Sequence, residues 1–311
     1  MRFTNQTGTG GYGIGRRAVR YVIKKRACYL FLLPFFSLFF VFTVLPVLSA
    51  MGLSLTYFNV LEPPQWVGIK NFTQLFFYDE IFLKALVNTL TMAMFIGPIG
   101  YLIALLVAWM INELRPAVRT VLVILMYAPS ISGNLYMIWN YLLNGDAYGY
   151  VNSLLLSVGL IQEPIQWLTD TQYMMGSVIV VSLWTSLGTS FLSFVAGLQG
   201  VDPSLYEAGA IDGIRNRWQE LWYVTLPAMK PQLLFGAVMS ITGAFSTGEI
   251  GANLCGNPST DYAVHTVMNH LNDYGGVRFE MGYACAIASF LFLLMVGSNQ
   301  LVQRLLRKVG S

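Results

Sequence analysis

The chain has 311 residues, of which 55% are hydrophobic and only 11% charged, and its mean hydropathy is +0.58. About a quarter of the residues in a soluble globular protein are charged, so this composition excludes a soluble domain. The formal net charge of +3 does not require a nucleic-acid partner, because it arises mainly from basic residues that flank apolar segments.

Six apolar stretches follow one another along the chain. Uncharged or nearly uncharged stretches of about 20 residues or more predict transmembrane helices. A membrane β-barrel would instead need alternating strands of about ten residues, and these runs do not alternate. The sequence therefore predicts an all-α membrane protein, a six-helix bundle within residues 27–307. The approximate spans are 27–57, 85–111, 119–143, 174–198, 228–250 and 282–303.

The basic residues predict the orientation of the bundle. Fifteen of the 18 Lys and Arg residues fall on one side of this topology, and only Lys70, Lys84 and Arg278 fall on the other. Positive charge concentrates in cytoplasmic loops, so both termini are predicted to be cytoplasmic. Residues 1–26 are predicted to form a flexible basic tail, and residues 308–311 a short C-terminal tail.

Three patterns outside the spans do not predict a site. Residues 8–13 (GTGGYG) fit a dinucleotide-binding pattern, but no strand precedes them and no βαβ unit follows. His265 and His270 are predicted to lie in a solvated outer loop, without a further metal ligand at suitable spacing. Cys255 and Cys285 lack a CxxC spacing, and the sequence does not show that they pair. No metal or cofactor bound by this chain is expected.

The segment between the fourth and fifth spans, residues 199–227, is polar and contains several glycines. Asp202 and Pro203 suit the cap and the first position of a helix. Gly213 lies where a helix would end in the left-handed conformation. The sequence therefore predicts a helix of about ten residues here, which is too short and too polar to cross a membrane.

This segment resembles the EAA loop of ABC-importer permeases. The resemblance lies in EAGAIDG at 207–213 and VTLP at 224–227. Three outer stretches also resemble the sugar permeases of that family: residues 66–72 (WVGIKNF), 148–154 (YGYVNSL) and 279–284 (FEMGYA). The resemblance covers about residues 27–307 and implies the compact six-helix, type I importer permease of the maltose-transporter kind.

In that family the EAA loop is a cytoplasmic coupling helix that docks in a groove of the ATP-hydrolysing subunit. The resemblance assigns this role to Glu207, Ala208, Gly209, Asp212 and Gly213. Glu207 and Asp212 would offer carboxylates to basic partner groups, and Ala208 and Gly209 would allow close approach. One residue more than the family pattern separates Gly213 from Leu226-Pro227, and it is predicted to lengthen the turn at 215–217.

The resemblance also implies an assembly in the bacterial cell membrane. Its other members would be a second permease of the same fold, two ATPase subunits and an extracytoplasmic sugar-binding protein. ATP and Mg would bind the ATPase subunits, and this chain is not expected to be an enzyme. The remaining partners would be a carbohydrate and the membrane lipid.

Polar residues inside the spans are candidates for a substrate path, because such residues usually face the bundle interior or a water-filled cavity. The resemblance places a sugar site on the fourth and fifth helices. The candidates there are Trp184, Thr185, Ser186, Thr189, Thr242, Gly243, Ser246 and Glu249.

Hydroxyl groups beside an aromatic ring suit a neutral carbohydrate. Thr242, Ser246 and Glu249 are spaced to share one helix face. Asn134, Trp139 and Asn140 are weaker candidates on the third helix. The alternative is that the Ser and Thr side chains only bond to neighbouring helices.

The sequence thus predicts the membrane subunit of an ATP-driven importer for a carbohydrate, with an oligosaccharide as the favoured substrate. A first alternative is the same fold importing a polyamine or glycerol-phosphate, although anionic substrates would favour intramembrane Lys or Arg. A second is a secondary transporter, which would need coupling carboxylates or an inverted repeat. That alternative leaves the EAA-like segment unexplained.

Overall fold

The structure, a computed structural model, describes residues 26–307, so most of the predicted N-terminal tail and the tail at 308–311 lie outside the described residues. Within this range the chain forms sixteen α-helices and one short hairpin. In chain order the elements are α1 (Arg26–Phe39), α2 (Leu45–Leu53), β1 (Thr56–Tyr57), β2 (Gln65–Trp66), α3 (Lys70–Phe77), α4 (Glu80–Asn112), α5 (Pro116–Ile131), α6 (Ile138–Leu142), α7 (Tyr150–Ser157), α8 (Thr171–Thr185), α9 (Thr189–Gln199), α10 (Pro203–Ile211), α11 (Arg217–Glu220), α12 (Leu226–Ala228), α13 (Lys230–Phe245), α14 (Gly248–Cys255), α15 (Val267–Asn272) and α16 (Met281–Arg307).

Five helical segments of the described chain are long and apolar enough to cross a membrane. They are Leu30–Leu53, Glu80–Asn112, Thr171–Gln199, Lys230–Cys255 and Met281–Leu305. The first ends earlier than the predicted 27–57, because the chain turns after Leu53 into the antiparallel pair β1–β2, in which Thr56 faces Trp66.

The predicted span 119–143 is wrong as a continuous helix. Helix α5 ends at Ile131, and Ser132, its C-cap, has extended backbone angles. A 3-10 turn at Leu135–Met137 and the short helix α6 then complete the segment. Pro129 lies inside α5, and Gly133 follows its end. Proline and glycine both weaken helices in this way.

Two further spans are helical on both sides of a break. The predicted 174–198 divides into α8 and α9 around residues 186–188, and the predicted 228–250 divides into α13 and α14 around residues 246–247. Irregular backbone at membrane depth is tolerated only where it is buried in protein or lines a water-filled cavity. The breaks therefore indicate a cavity in the bundle.

The core forms where α4, α9 and α13 pack together. Ala104 and Ala108 on α4 and Phe191 and Phe194 on α9 are completely buried in one cluster. Gly236 on α13 permits this close packing, since a Cβ there would lie 2.4 Å from the Phe194 ring.

The first helical segment leaves this core. Its α2 portion packs against α16, whereas no residue of the preceding π turn, Phe40–Val44, is buried. Phe31, Phe35 and Phe42 are more than half exposed. An apolar segment of this kind is suited to lipid or to another membrane subunit.

The bundle has two ends. One holds residues 112–116 and 199–229 and is called the coupling end here. The other, the loop end, holds residues 54–79 and 256–280. Buried asparagines organise the loop end. The Asn88 amide donates to the carbonyls of Tyr262 and His265, both at 2.9 Å, and the Asn71 amide donates to those of Ser54 and Thr56.

The largely buried carboxylate of Asp79 joins three segments of the structure around the loop end. Asp79 Oδ1 accepts from the Phe82 amide at 2.8 Å. Its Oδ2 lies 2.9 Å from His270 Nε2 and accepts from the Tyr283 hydroxyl at 2.8 Å. Burial alone would raise the pKa of Asp79, but these hydrogen bonds and the nearby His270 lower it to about 2.

The predicted solvated position of His265 and His270 is therefore wrong. Only 4% of His265 and 2% of His270 are exposed, and His265 Nε2 lies 3.4 Å from His270 Nδ1. The loop folds back onto α4 through contacts with residues far away in the chain, which the loop's own composition does not reveal. Among the described residues no group of three or more metal-ligating side chains could hold an ion.

His265 makes the loop end sensitive to acid. Burial and the neighbouring His270 lower the pKa of His265 from 6.5 to about 4, against opposing effects of Asp273 and Asp79. Between pH 4 and pH 6.5 the unfolded state binds the proton more tightly than the folded state. The free energy of unfolding is therefore fully retained above pH 6.5 and falls as the pH drops towards 4. The loss at pH 5 amounts to about 2 kcal/mol.

We expect His265→Gln to remove most of this acid sensitivity, because a glutamine amide does not titrate and can still form a hydrogen bond with His270 Nδ1. The melting temperature of the purified protein at pH 7.5 and pH 5 measures the effect. The parent should lose several degrees more than the variant. An equal loss in both proteins would show that His265 is not the responsible group.

Candidate functional site

A cavity of about 330 Å³ opens among α4, α5, α8, α13 and α14. Its volume falls within the range of ligand pockets, although near the lower limit. The cavity is lined by Ile96, Gly100, Pro129, Ser130, Ser132, Gly133, Tyr136, Ser182, Thr185, Ser186, Gly188, Ser240, Gly243, Ala244, Ser246, Thr247, Glu249 and Ile250.

All three helix breaks border this cavity. Ser132 and Gly133 lie after the end of α5, Ser186 and Gly188 lie between α8 and α9, and residues 246–247 lie between α13 and α14. Discontinuous helices of this kind form substrate sites in membrane transporters, because their interrupted turns leave backbone groups free to bind a ligand.

The cavity wall is rich in hydroxyl groups, which nine of its 18 lining residues carry. Several donate to a carbonyl of their own helix, as Thr185 does to Ser182 O at 3.0 Å and Ser246 does to Thr242 O at 3.0 Å. A hydroxyl that donates in this way can still accept a hydrogen bond from a ligand. The wall therefore presents acceptors to donors such as sugar hydroxyls.

Ser182 differs from the other hydroxyls. It is 1% exposed, and its Oγ is buried without a hydrogen-bond partner among the described residues. An unpaired buried hydroxyl costs about 1–3 kcal/mol. A ligand or water in the cavity would supply the missing partner.

Glu249, near the start of α14, is the only carboxylate among the lining residues, which include no Lys, Arg or His. The neighbouring groups form a small network through Asn253. Its amide donates to Tyr136 Oη at 2.8 Å and to the Glu249 carbonyl at 2.9 Å. The cavity therefore carries one acidic group and no basic one.

Five of the eight predicted path residues line the cavity: Thr185, Ser186, Gly243, Ser246 and Glu249. The other three do not line it. Trp184 is half-buried and packs edge-on against Trp139, with the ring centroids 5.8 Å apart. Thr189 is exposed at the start of α9, and Thr242 donates to Val238 O within α13.

The predicted shared face of Thr242, Ser246 and Glu249 is present only in part, and α13 ends within it, at Phe245. The spacing rule holds only within one continuous helix. Ser246 and Glu249 line the cavity, whereas Thr242 lies outside its wall. Asn134, Trp139 and Asn140 are likewise absent from the lining.

Sequence reasoning missed thirteen lining residues, and five of these come from the end of α5 and the turn after it: Pro129, Ser130, Ser132, Gly133 and Tyr136. A signal for them exists in the sequence. Residues 129–133 read PSISG, and proline, glycine and two serines this close together disfavour a continuous helix. The apolar residues on both sides concealed the break.

The predicted helix in the polar segment is present at the coupling end as α10, with nine residues. Asp202 caps it, since its carboxylate accepts from the Ser204 amide at 2.9 Å. Gly213 has a φ of 94°, a left-handed conformation that glycine adopts without strain. Both local signals predicted the structure correctly.

The predicted docking residues differ in their exposure to solvent. Glu207, Ala208, Asp212 and Gly213 are exposed, whereas Gly209 is buried. A Cβ at Gly209 would lie 2.9 Å from Ile214 Cδ1 and 3.2 Å from Val224 Cγ2. The prediction that Gly209 lets a partner approach is therefore wrong: its small size allows α10 to fold back on its own segment.

Contacts tie the coupling segment to the bundle. Tyr206 Oη lies 3.1 Å from Thr225 Oγ1. Arg217 lies 3.6 Å from the carboxylate of Glu113, just after α4, and the rings of Trp109 and Trp218 are 5.1 Å apart. Movement of α10 would therefore reach α4, which borders the cavity.

The additional residue predicted at 215–217 has a different place in the structure. The short helix α11 begins directly after Asn216, whose side chain caps it by accepting from the Gln219 amide at 2.8 Å. A π turn, Leu221–Thr225, follows. A π turn holds one residue more than an α turn, so it accommodates the longer spacing.

An open groove runs beside α10. Its wall includes Leu205, Ala208, Asp212 and Tyr223. Leu205 is 46% and Tyr223 73% exposed, and the adjacent Ile211 is 86% exposed. Exposed apolar groups beside carboxylates at the rim are typical of a protein interaction surface.

Comparisons with known proteins agree with this architecture. The sequence model of the family described as "Binding-protein-dependent transport system inner membrane component" matches residues 96–311. The probable ABC transporter permease protein YesP of Bacillus subtilis (strain 168) is 32% identical over 288 residues, covering 89% of this chain and 88% of YesP. The arabinooligosaccharides transport system permease protein AraP of the same strain is 30% identical over 277 residues, covering 88% and 86%.

A solved structure shares the fold. It is a bacterial ABC transporter involved in the import of the acidic polysaccharide alginate, with a TM-score of 0.75, 23% identity and coverage of 95% of this chain and 100% of that one. The apolar helices make the protein a multi-pass membrane protein. The chain belongs to the family of binding-protein-dependent transport system inner membrane components, the permease subunits of ABC transporters.

Proposed function

We propose that this chain is the membrane subunit of an ATP-driven importer for a carbohydrate, with an oligosaccharide as its substrate. The observation that carries the proposal is the hydroxyl-lined cavity at three helix breaks. Sugars bind through many hydroxyl groups of their own, which need donors and acceptors at several points. Family membership and relatives such as AraP support the same substrate class.

The proposed path passes through this cavity, with Thr185, Ser186, Gly243, Ser246 and Glu249 among its walls. A second permease of the same fold would close the open side and complete the path. The exposed aromatic face of α1 is available for such a neighbour or for lipid.

An extracytoplasmic binding protein would deliver the sugar at the loop end. A solved alginate transporter of this fold forms a complex with such a protein.

The proposed energy source is ATP, bound with Mg by two partner ATPase subunits at the coupling end. The exposed carboxylates of Glu207 and Asp212 and the apolar groove beside α10 support this docking role. The excess of Lys and Arg at this end supports a cytoplasmic position for it. Movement of α10 would reach the cavity through the contacts that Arg217 and Trp218 make with α4 and the residue after it.

The test is uptake by proteoliposomes that contain the chain with its native partner subunits. We expect a labelled oligosaccharide to accumulate against its gradient only with internal ATP and external binding protein. Ionophores that collapse proton and sodium gradients should leave uptake unchanged. Uptake that ignores ATP but stops with the ionophores would instead identify a secondary transporter.

A further inference from the structure

The cavity carries a net negative charge that hydroxyl groups alone do not give it. Glu249 is its only carboxylate, and no Lys, Arg or His lines it. The residue is exposed and lines the cavity, and it takes no part in the ion pairs found within residues 26–307. Its charge is therefore not neutralised by a basic side chain of the described part of this chain.

A second observation indicates a polar ligand beside this charge. The Ser182 hydroxyl is buried in the same wall and lacks a partner among the described residues. The group that satisfies it is not an anion, because the same wall carries the Glu249 carboxylate and no basic side chain. A sugar hydroxyl meets this requirement.

The sign of the charge distinguishes between sugar classes. A carboxylate accepts charge-assisted hydrogen bonds from neutral sugar hydroxyls. It repels the carboxylate of a uronic acid, and confinement in a cavity strengthens this repulsion relative to bulk water. Two of the substrate classes named for similar proteins, arabino-oligosaccharides and an acidic polysaccharide, differ in this respect.

We propose that Glu249 sets the charge class of the substrate, so that this subunit carries neutral oligosaccharides and disfavours uronic-acid oligosaccharides. The inference rests on the proposed function, because it concerns the sugar that passes through the same cavity. Glu249 is in this sense a specificity-determining residue: it favours one class and rejects the other by like-charge repulsion.

The electrostatic potential that Glu249 creates in the cavity can be measured without knowing the sugar. Ser246 lines the same cavity, and Ser246→Cys places a thiol there, in a protein whose three native cysteines are replaced by alanine. In the assembled complex the thiol is modified with a cationic or an anionic methanethiosulfonate reagent of similar size. The ratio of the two rates cancels any effect on thiol ionisation.

We expect the cationic reagent to react at least about threefold faster, since it is attracted where the anionic reagent is repelled. Glu249→Gln should bring the ratio close to that of a free thiol, and Glu249→Asp should retain it. A ratio that is the same with Glu249 and with Gln would overturn the inference.

Sugar uptake provides the second test of the inference. Labelled neutral and uronic-acid trisaccharides, arabinotriose and trigalacturonate, are offered to the proteoliposomes described above. Accumulation of trigalacturonate would overturn the inference while leaving the importer assignment in place. If ATP drives no uptake of any sugar, the proposed function fails. The ratio of the two modification rates then still decides whether Glu249 controls the electrostatic potential in the cavity.

Discussion

Replacement of Gly209 by valine should remove most of the binding-protein-stimulated ATP hydrolysis of the assembled transporter. Gly209 is buried on α10, and even a Cβ there would lie 2.9 Å from Ile214 and 3.2 Å from Val224. A branched side chain must displace both, and overpacking of this kind costs about 1–3 kcal/mol. Because about 1.4 kcal/mol corresponds to a factor of ten, we expect stimulated turnover to fall about tenfold or more.

Ala210→Val is the matched control. Ala210 is the next residue of α10 and is exposed, so the branched side chain of valine is accommodated there without displacing an internal neighbour. ATP hydrolysis with and without loaded binding protein is measured for both variants, after gel filtration shows that each complex is intact. Stimulated hydrolysis at the parental level in Gly209→Val would contradict the view that the fold of this segment transmits the signal.

The second large effect concerns the cavity. Gly243→Phe should lower sugar uptake at least tenfold while the ATPase subunits still respond to loaded binding protein. A Cβ at Gly243 would have no atom within 4 Å, so the phenyl ring can occupy open cavity space without a clash in the helix backbone. Glycine is also an unfavourable residue in a helix, and the substitution should not destabilise α13.

Gly297→Phe tests whether the position rather than the bulk matters. Gly297, on α16, also has open space at its Cβ but is absent from the cavity wall. Uptake by this control should stay close to the parental value. Parental uptake by Gly243→Phe would show that the sugar follows a different route.

Local chemistry made the coupling segment predictable from sequence. The cap at Asp202 and the left-handed glycine at 213 are decided by neighbours within a few residues, and both have the predicted conformation. The apolar runs likewise predicted the helical bundle, because length and hydropathy alone decide membrane insertion.

Interactions between distant residues were not predictable in the same way. Asp79 and His270 are 191 positions apart, so the loop containing His270 gave no sign of its buried partner. The role of Gly209 depends on Ile214 and Val224, which only the folded segment brings to it. The helix breaks were predictable only in part. The residues PSISG at 129–133 signal the break after α5, but the position of this break beside a cavity depends on how the other helices pack.

The central claim is that one chain joins a sugar path to an ATP-driven motor through α10. The number of sugar molecules taken up per ATP hydrolysed, measured on the same proteoliposomes, tests it most directly. We predict that Gly243→Phe lowers this ratio at least tenfold at nearly parental stimulated hydrolysis, whereas Gly209→Val lowers uptake and hydrolysis together and leaves the ratio close to parental. An unchanged ratio in Gly243→Phe, with uptake and hydrolysis both parental in Gly209→Val, would contradict the account.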